Sequence, residues 1–409
     1  MRGRDVELDA TNIAHGGISV ARLDGRVVFV SDAIPGERVV ARVTDDDKPT
    51  FWRADTVRVL EPSIHRRPHP WAEAALDRDP AARAGGAEFG HIALPHQREL
   101  KQQVLREALA RFGGVERDTV VEPLPGADDG TGWRTRVRLH VSDDGVVGPY
   151  AARSHTVVPV TDLPLAVDEL REIAPLSERF DAKTDHIDLL SPALGGVRMI
   201  VGTQTRSVVR EVVGNREFLV DDSGFWQVHR HAAETLSAAV GGAIDDQLFD
   251  PKAANLDLYG GVGLLAAAVG DRFGPATRIT SVESDARATE HAAENLADWI
   301  GASTATARTE HWVRSLATAS PSERARLSAA TVVLDPPRAG AGRAVVDALA
   351  AVSPAQIVYV ACDPVAFARD VGLFAAHGYR LEGLRAFDLF PMTHHVEAVG
   401  HLVRENPAR

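Results

Sequence analysis

Residues 255–269, with the sequence NLDLYGGVGLLAAAV, set the architecture of the larger part of the chain. The apolar run 255–259 predicts a buried strand, and the alanine-rich run 264–269 predicts a helix directly after it. Three glycines in the turn let the backbone approach a ligand closely: Gly260, Gly261 and Gly263. Since ligands of open parallel sheets bind outside the carboxyl ends of the strands, this turn and Tyr259 are predicted to contact a nucleotide-like cofactor.

The next predicted strand, residues 279–282, is followed at once by Glu283. An acidic side chain at this place accepts hydrogen bonds from ribose hydroxyls. The glycine turn also fits the dinucleotide fingerprint G-x-G-x-x-A. These two features alone are therefore compatible with NAD and, equally, with S-adenosylmethionine.

Strand-like and helix-like patterns alternate beyond residue 225, which predicts βαβ units and a parallel sheet. We therefore expect an α/β, Rossmann-like catalytic domain over residues 222–409. Residues 1–61 contain short strand-like runs separated by glycine turns, which favours an OB-like β-barrel, a frequent nucleic-acid binder. A purely structural all-β domain is the alternative.

Two further segments lie between these domains. Residues 62–118 predict a linker followed by a helix, and residues 119–221 predict a central α+β domain with a candidate RNA-binding surface. Within the run WRTRVRLHV, alternation places three arginines on one face of a strand: Arg134, Arg136 and Arg138. This face either contacts RNA or is an ordinary solvated surface.

The composition narrows the class of protein. A net charge of −12 over 409 residues argues against a simple basic coat protein for nucleic acid, although an enzyme can carry a local basic patch. The single cysteine excludes an intramolecular disulfide. We find no signal peptide and no apolar run long enough for a bilayer, so we expect a cytoplasmic protein without a membrane partner. Nothing implies an obligate protein partner.

The single cysteine, Cys362, directly follows the apolar run 357–361 and precedes Asp363 and Pro364. Because proline cannot continue a central strand, the thiol is predicted to lie at a strand's carboxyl end, at the mouth of a site. A nucleophilic thiol and a small buried hydrophobe are both compatible with this place.

Asp335 holds an equivalent place after the strand-like run 331–334. The prolines at 336 and 337 stiffen its loop and fix the direction of its carboxylate. The carboxylate either accepts a hydrogen bond from a cofactor or a base amide, or it caps a turn.

Residues 387–402, FDLFPMTHHVEAVGHL, place Glu397 in an otherwise apolar strand. Burial there would raise its pKa towards the range of a general base. His394 and His395 precede it without thiol partners and at a spacing that zinc sites rarely use, so we predict no metal.

Together these motifs resemble the uridine-5 RNA methyltransferases, which form 5-methyluridine in tRNA and rRNA. The resemblance covers nearly the whole chain, and D-P-P-R, the cysteine motif and the final glutamate in that order are highly specific. Its segments are residues 1–61, similar to a TRAM domain; GFWQ at 224–227, similar to F-F-Q; residues 256–263 with Glu283; DPPR at 335–338; YVACDP at 359–364; and FPMTHHVE at 390–397.

The resemblance implies a site and a reaction. S-Adenosyl-L-methionine would be held by Gln227, Tyr259, the three turn glycines, Glu283 and Asp335. Cys362 would add to carbon 6 of a uracil that has left its stack, and Glu397 would remove the carbon 5 proton. Large-subunit (23S) rRNA is the preferred substrate, since a TRAM domain is more typical of rRNA-directed members, and tRNA is the alternative.

The chain also departs from the resembled pattern. Ala361-Cys362-Asp363 stands for Ser-Cys-Asn, and Leu264 stands where many members carry asparagine. Many TRAM-bearing members hold an iron–sulfur cluster on four cysteines, but residues 65–92 contain none, so we predict no cluster. Three other activities stay open: an amino-group methyltransferase that uses Asp335, an RNA-binding protein without catalysis, and an NAD dehydrogenase.

Overall fold

The computed structural model describes residues 1–181 and 183–405. Its N-terminal part is a six-stranded sheet in the order β1-β5-β6-β4-β3-β2. The strands are β1 (Asp5–Asp9), β2 (Asn12–Ala14), β3 (Ile18–Leu23), β4 (Arg26–Ser31), β5 (Arg38–Asp45) and β6 (Phe51–Glu61). Alternate side chains such as Val28, Val30, Val39 and Ala54 form its core. The predicted β-rich N-terminal domain is confirmed.

A long helix, α1 (Leu94–Ala108), joins this domain to the rest of the protein. Leu100 on its first turns packs with Ile13 and Ile34 of the N-terminal domain, whereas Leu105 and Ala108 belong to the core of the C-terminal domain. One side of the helix thus has apolar partners in both domains. After it, the short strand β7 (Val121–Pro123) pairs with the catalytic sheet.

The central part contains a four-stranded sheet in the order β11-β10-β8-β9 and a separate hairpin. Its elements are β8 (Arg136–Val141), β9 (Val147–Gly148), α2 (Asp168–Ile173), β10 (His186–Leu190), β11 (Arg198–Val201), β12 (Val208–Val213) and β13 (Arg216–Asp221).

Arg136 and Arg138 of β8 and Arg134, two residues before the strand, do not form one free cationic face. Arg136 donates to Glu211 at 3.1 Å, and Arg138 donates to both carboxylate oxygens of Asp188 at 2.7 Å. Only Arg134 lines the large cavity described below. Carboxylates within the central domain therefore neutralise two of the three arginines that the alternation selected.

The C-terminal part is an α/β domain, as predicted. Its elements are α3 (Ala232–Ala243), β14 (Asn255–Leu258), α4 (Leu264–Phe273), β15 (Ile279–Glu283), α5 (Ala286–Asn295), β16 (Ala302–Thr306), α6 (Thr309–Ser315), α7 (Pro321–Ser328), β17 (Thr331–Leu334), α8 (Gly342–Val352), β18 (Gln356–Ala361), α9 (Pro364–Ala375), β19 (Tyr379–Asp388) and β20 (Glu397–Arg404). Among the described residues, no helix is long and apolar enough to cross a membrane.

The eight-stranded sheet of this domain follows the order β16-β15-β14-β17-β18-β20-β19-β7. The first five strands are parallel, and β20 then runs antiparallel to both β18 and β19. The parallel strands direct their carboxyl ends to one edge, where β20 begins. That edge carries the site.

A buried ion pair fixes α1 to the catalytic sheet. The Lys101 ammonium donates to Asp388 at 2.5 Å and to the Phe390 carbonyl at 3.0 Å. Both side chains of the pair are almost completely buried. The pair holds the end of β19 close to the loop that leads into β20.

We predict that Lys101→Met destabilises the protein by about 3–5 kcal/mol, because Asp388 is left charged and buried without a partner. Urea unfolding measures the loss. As a control, Arg171→Met removes the partly exposed pair between Arg171 and Asp162, which contributes about 1 kcal/mol or less. Equal losses in the two variants would contradict the prediction.

Candidate active site

The residues that the sequence selected converge at the carboxyl edge of the parallel sheet. Tyr259 follows β14, Glu283 ends β15, Asp335 follows β17 and Cys362 follows β18. All four line one cavity of about 820 Å³, together with Glu397, the first residue of β20. Gln227 contributes to the wall from the segment between β13 and α3.

Cys362 and Glu397 lie at the same end of two neighbouring strands, Cys362 directly after β18 and Glu397 at the start of β20. In the antiparallel pair of β18 and β20, Ala361 lies opposite Ala398, so the next pair towards the cavity is Cys362 with Glu397. Directly opposite residues of such a pair have side chains about 4.5–5.5 Å apart at Cβ. We therefore expect a single planar ring in the cavity to contact both groups.

The thiol of Cys362 is protonated in this arrangement. Burial raises its pKa to about 12, and the carboxyls of Glu397 and Asp335 act in the same direction. The positive charge of Arg338 lowers the pKa of Cys362, but by less than burial and the two carboxyls raise it. Because the thiolate is the nucleophilic form of cysteine, this thiol would have to lose its proton before it could act as a nucleophile.

Three buried carboxyls share the same edge. Burial raises the pKa of Asp335 to about 7, with Asp257 adding to the effect. Burial likewise raises the pKa of Glu397 well above its usual value, and Asp335 adds to it. Clustered acids with pKa values displaced towards neutrality are typical of catalytic sites.

The third carboxyl, Asp257, was not selected from the sequence. Burial raises its pKa to about 6. Its Oδ2 accepts a hydrogen bond from Ser281 at 2.9 Å, but its Oδ1 has no partner among the described residues. The available signal was a lone aspartate inside the apolar strand NLDLY.

Glu283 braces the glycine turn. Its Oε2 accepts the Gly261 N–H at 3.1 Å, and its Oε1 accepts the Asp285 N–H at 2.8 Å. Gly260 is required because a side-chain carbon there would lie 1.9 Å from the Ser281 hydroxyl. The turn therefore brings bare backbone beside a carboxylate at the cavity wall.

Gly263 does not line the cavity. Its φ of 88° starts α4, and a side chain there would press on Leu296 at 3.1 Å. This glycine permits close packing of α4 on α5 rather than exposing backbone to the cavity. Its predicted contact with the cofactor stays a prediction.

The cavity also has a cationic and aromatic rim that the sequence did not reveal as a set. Its arginines are Arg134, Arg206, Arg308 and Arg338. Phe225 is 74% exposed at the same rim. Arginines suit phosphate groups, and an exposed ring suits a base.

His394 and His395 contact different partners. His395 lies 3.4 Å from the Arg338 guanidinium, and burial lowers its pKa to about 3. His394 faces Glu88 at 3.7 Å. Within the described residues, no group of three or more His, Cys, Asp or Glu side chains is arranged to hold a metal.

Comparison with known proteins identifies the family. An uncharacterized RNA methyltransferase of Streptomyces avermitilis is 35% identical over 98% of this chain and 98% of its own length. One of Streptomyces coelicolor is 36% identical over 98% of this chain and 93% of its own length. The tRNA (uracil-5-)-methyltransferase family model matches residues 246–405. The chain belongs to the RNA uracil-5 methyltransferase family.

A solved structure with the same fold agrees over the whole length of the enzyme. It is the Pyrococcus abyssi tRNA (uracil-54, C5)-methyltransferase in complex with S-adenosyl-L-homocysteine, with a TM-score of 0.72 and 21% identity. The match covers 97% of this chain and 99% of the other. This structure confirms the predicted fold class, while the relatives and the family model confirm the predicted family and enzyme class.

We predict that Asp335→Asn stabilises the enzyme at pH 8 relative to wild type, with little change at pH 5. The folded state holds a proton on Asp335 from its ordinary pKa of 3.8 up to about 7, so wild-type stability falls as pH rises through that window. Because asparagine cannot ionise, the variant avoids this pH-dependent loss, which amounts to about 1–3 kcal/mol in the free energy of unfolding.

Thermal unfolding at both pH values measures this difference. The matched control is Asp168→Asn, at a side chain that is 81% exposed, and it should show no such pH dependence. A wild-type protein that gains stability between pH 5 and pH 8 relative to Asp335→Asn would contradict the assignment.

Proposed function

We propose that the enzyme methylates carbon 5 of a uridine in 23S rRNA through a covalent adduct of Cys362, with Glu397 as the base. The coarser activity, S-adenosyl-L-methionine-dependent methylation of an RNA uracil at carbon 5, follows from the family. The observation that carries the finer proposal is the register of β18 and β20, which sets the thiol opposite the carboxyl.

The cavity wall suits the cofactor. Glu283, at the end of β15, suits the ribose hydroxyls. Asp335 lines the cavity and would form a hydrogen bond with a polar group of the cofactor. Gln227, Tyr259 and the turn at Gly260 and Gly261 complete the wall. When bound there, S-adenosyl-L-methionine supplies an electrophilic methyl group.

The chain's own side chains would carry the remaining chemistry. The Cys362 thiol would lose its proton to solvent, and the thiolate would form a bond from Sγ to carbon 6 of the uracil, which moves the electron pair of the double bond between carbons 5 and 6 to carbon 5. After carbon 5 has accepted the methyl group, Glu397 takes the proton from carbon 5. The electron pair then restores the double bond between carbons 5 and 6 as the sulfur leaves.

The raised pKa values fit these roles. A carboxyl whose pKa is raised by burial is a stronger base than an ordinary glutamate, so it takes up a proton more readily. Both Cys362 and Glu397 must be deprotonated for the sequence of steps, so transfer should accelerate as pH rises from neutral. The cationic rim would bind the phosphates that flank the extruded uridine.

Two classes of RNA, rRNA and tRNA, are candidate substrates. The β-rich N-terminal domain favours rRNA, since the resemblance to TRAM-bearing members points there. The tRNA alternative is favoured by the description of the matching family model and by the Pyrococcus abyssi enzyme of the same fold. An inactive RNA-binding protein is disfavoured because thiol and carboxyl are both in place.

The test is methyl transfer from labelled S-adenosyl-L-methionine to separate unmodified rRNA and tRNA pools, followed by nucleoside mass spectrometry. We expect 5-methyluridine in rRNA and a loss of at least about 1000-fold in Cys362→Ala, since no other group in the site forms the adduct. The lone cysteine makes this variant free of other thiols. Product in tRNA alone would reassign the substrate, and label on a base nitrogen would overturn the mechanism.

A further inference from the structure

A turn of the N-terminal domain reaches the loop that carries Cys362. His15, Gly16 and Gly17 connect β2 to β3. The Nε2 atom of His15 lies 2.8 Å from Oδ2 of Asp363, the residue directly after Cys362. The two residues are 348 positions apart, so tertiary docking alone creates the contact.

Asp363 uses its two carboxylate oxygens for different partners. Its Oδ1 accepts the N–H groups of Val365 at 3.0 Å and Ala366 at 2.8 Å and so caps α9. Its Oδ2 binds His15. Cys362 is the single residue between the end of β18 and this cap. The cap and the histidine therefore restrain the nucleophile's loop from two sides.

The same turn also touches the segment that leads to Glu397. A side-chain carbon at Gly17 would lie 2.5 Å from Cβ of His394 and 2.8 Å from the Phe89 ring. The backbone of Gly17 is thus in direct contact with the loop between β19 and β20. One turn contacts the elements that carry both the nucleophile and the base.

The N-terminal domain is docked firmly enough to hold a side chain at the site. Ile13 of β2, two residues before His15, is buried against Phe89 and Leu100. Arg66 donates to the fully buried Glu37 at 2.6 Å. Apolar packing and a buried ion pair together fix the position of the turn.

We propose that His15 is a positioning residue for methyl transfer, which fixes the Cys362 loop through Asp363 so that the N-terminal domain completes the active site. The proposal rests on the function proposed above. The pair is partly exposed, at 47% for His15 and 22% for Asp363, so it adds little to stability. Its effect is on geometry, where a displacement of about 1 Å can cost about 100-fold in rate.

The main test compares single-turnover methyl transfer with RNA affinity in variants of the full chain. His15→Ala should lower the transfer rate at least about tenfold, while the Kd for RNA changes less than about twofold. His15→Gln keeps an N–H donor and should recover part of the rate. The matched control is His377→Ala, which removes an exposed pair with Asp347 of similar length, 2.7 Å, and should transfer at the wild-type rate.

A double variant tests whether His15 acts through Asp363. Asp363→Ala should also slow transfer, and adding His15→Ala to it should cause no further loss. The proposal would be overturned if the rate losses of the two single variants multiplied in the double variant. It would also be overturned if His15→Ala transferred at the wild-type rate, or if its defect lay wholly in RNA affinity. A wild-type enzyme that transfers no methyl group would instead overturn the proposed function.

Two glycine variants give an independent check. Gly16 and Gly17 both have positive φ, 86° and 71°, so alanine strains the backbone at either one. Only at Gly17 does the added carbon clash, and the clash pushes the turn away from His394. Gly17→Ala should therefore slow transfer well beyond Gly16→Ala, and equal effects would contradict the role of the turn.

Discussion

The site depends on the antiparallel insertion of β20 beside the last parallel strand. All six residues of β18 are buried, and so are the first six of β20. A slip of one residue would turn every side chain of β20 to the other face, which buried strands do not tolerate. Packing thus fixes the register that sets Glu397 opposite Cys362. The strands' apolar side chains, rather than polar contacts in the cavity, align the thiol with the carboxyl.

That alignment has an electrostatic cost. Asp257, Asp335 and Glu397 gather at one buried edge, and each has a pKa raised by burial. Such a cluster destabilises the folded protein as pH rises, which is the usual trade between stability and function. The buried pair of Lys101 with Asp388 is different, because there a cation compensates the carboxylate.

The sequence predicted those features of the fold and the site that are determined by residues adjacent in the chain. The strand, glycine turn and Glu283 follow from local patterns, and so does the place of Cys362 after β18. Contacts between distant segments left no local signal. The pairing of β7 with β19, the burial that makes Asp257 part of the site, and the contact of His15 with Asp363 all arise from docking. The alternating arginines of residues 134–138 likewise gave no indication that carboxylates from other strands neutralise Arg136 and Arg138.

The central claim is that Cys362 bonds to the uracil and Glu397 releases it. The most direct measurement is peptide mass spectrometry of Glu397→Gln after reaction with the methyl-accepting RNA and S-adenosyl-L-methionine. Glutamine cannot take the carbon 5 proton, so we predict a methylated uridine nucleotide bound to the Cys362 peptide. A Glu397→Gln enzyme that turns over at the wild-type rate, or a peptide free of nucleotide, would contradict the account.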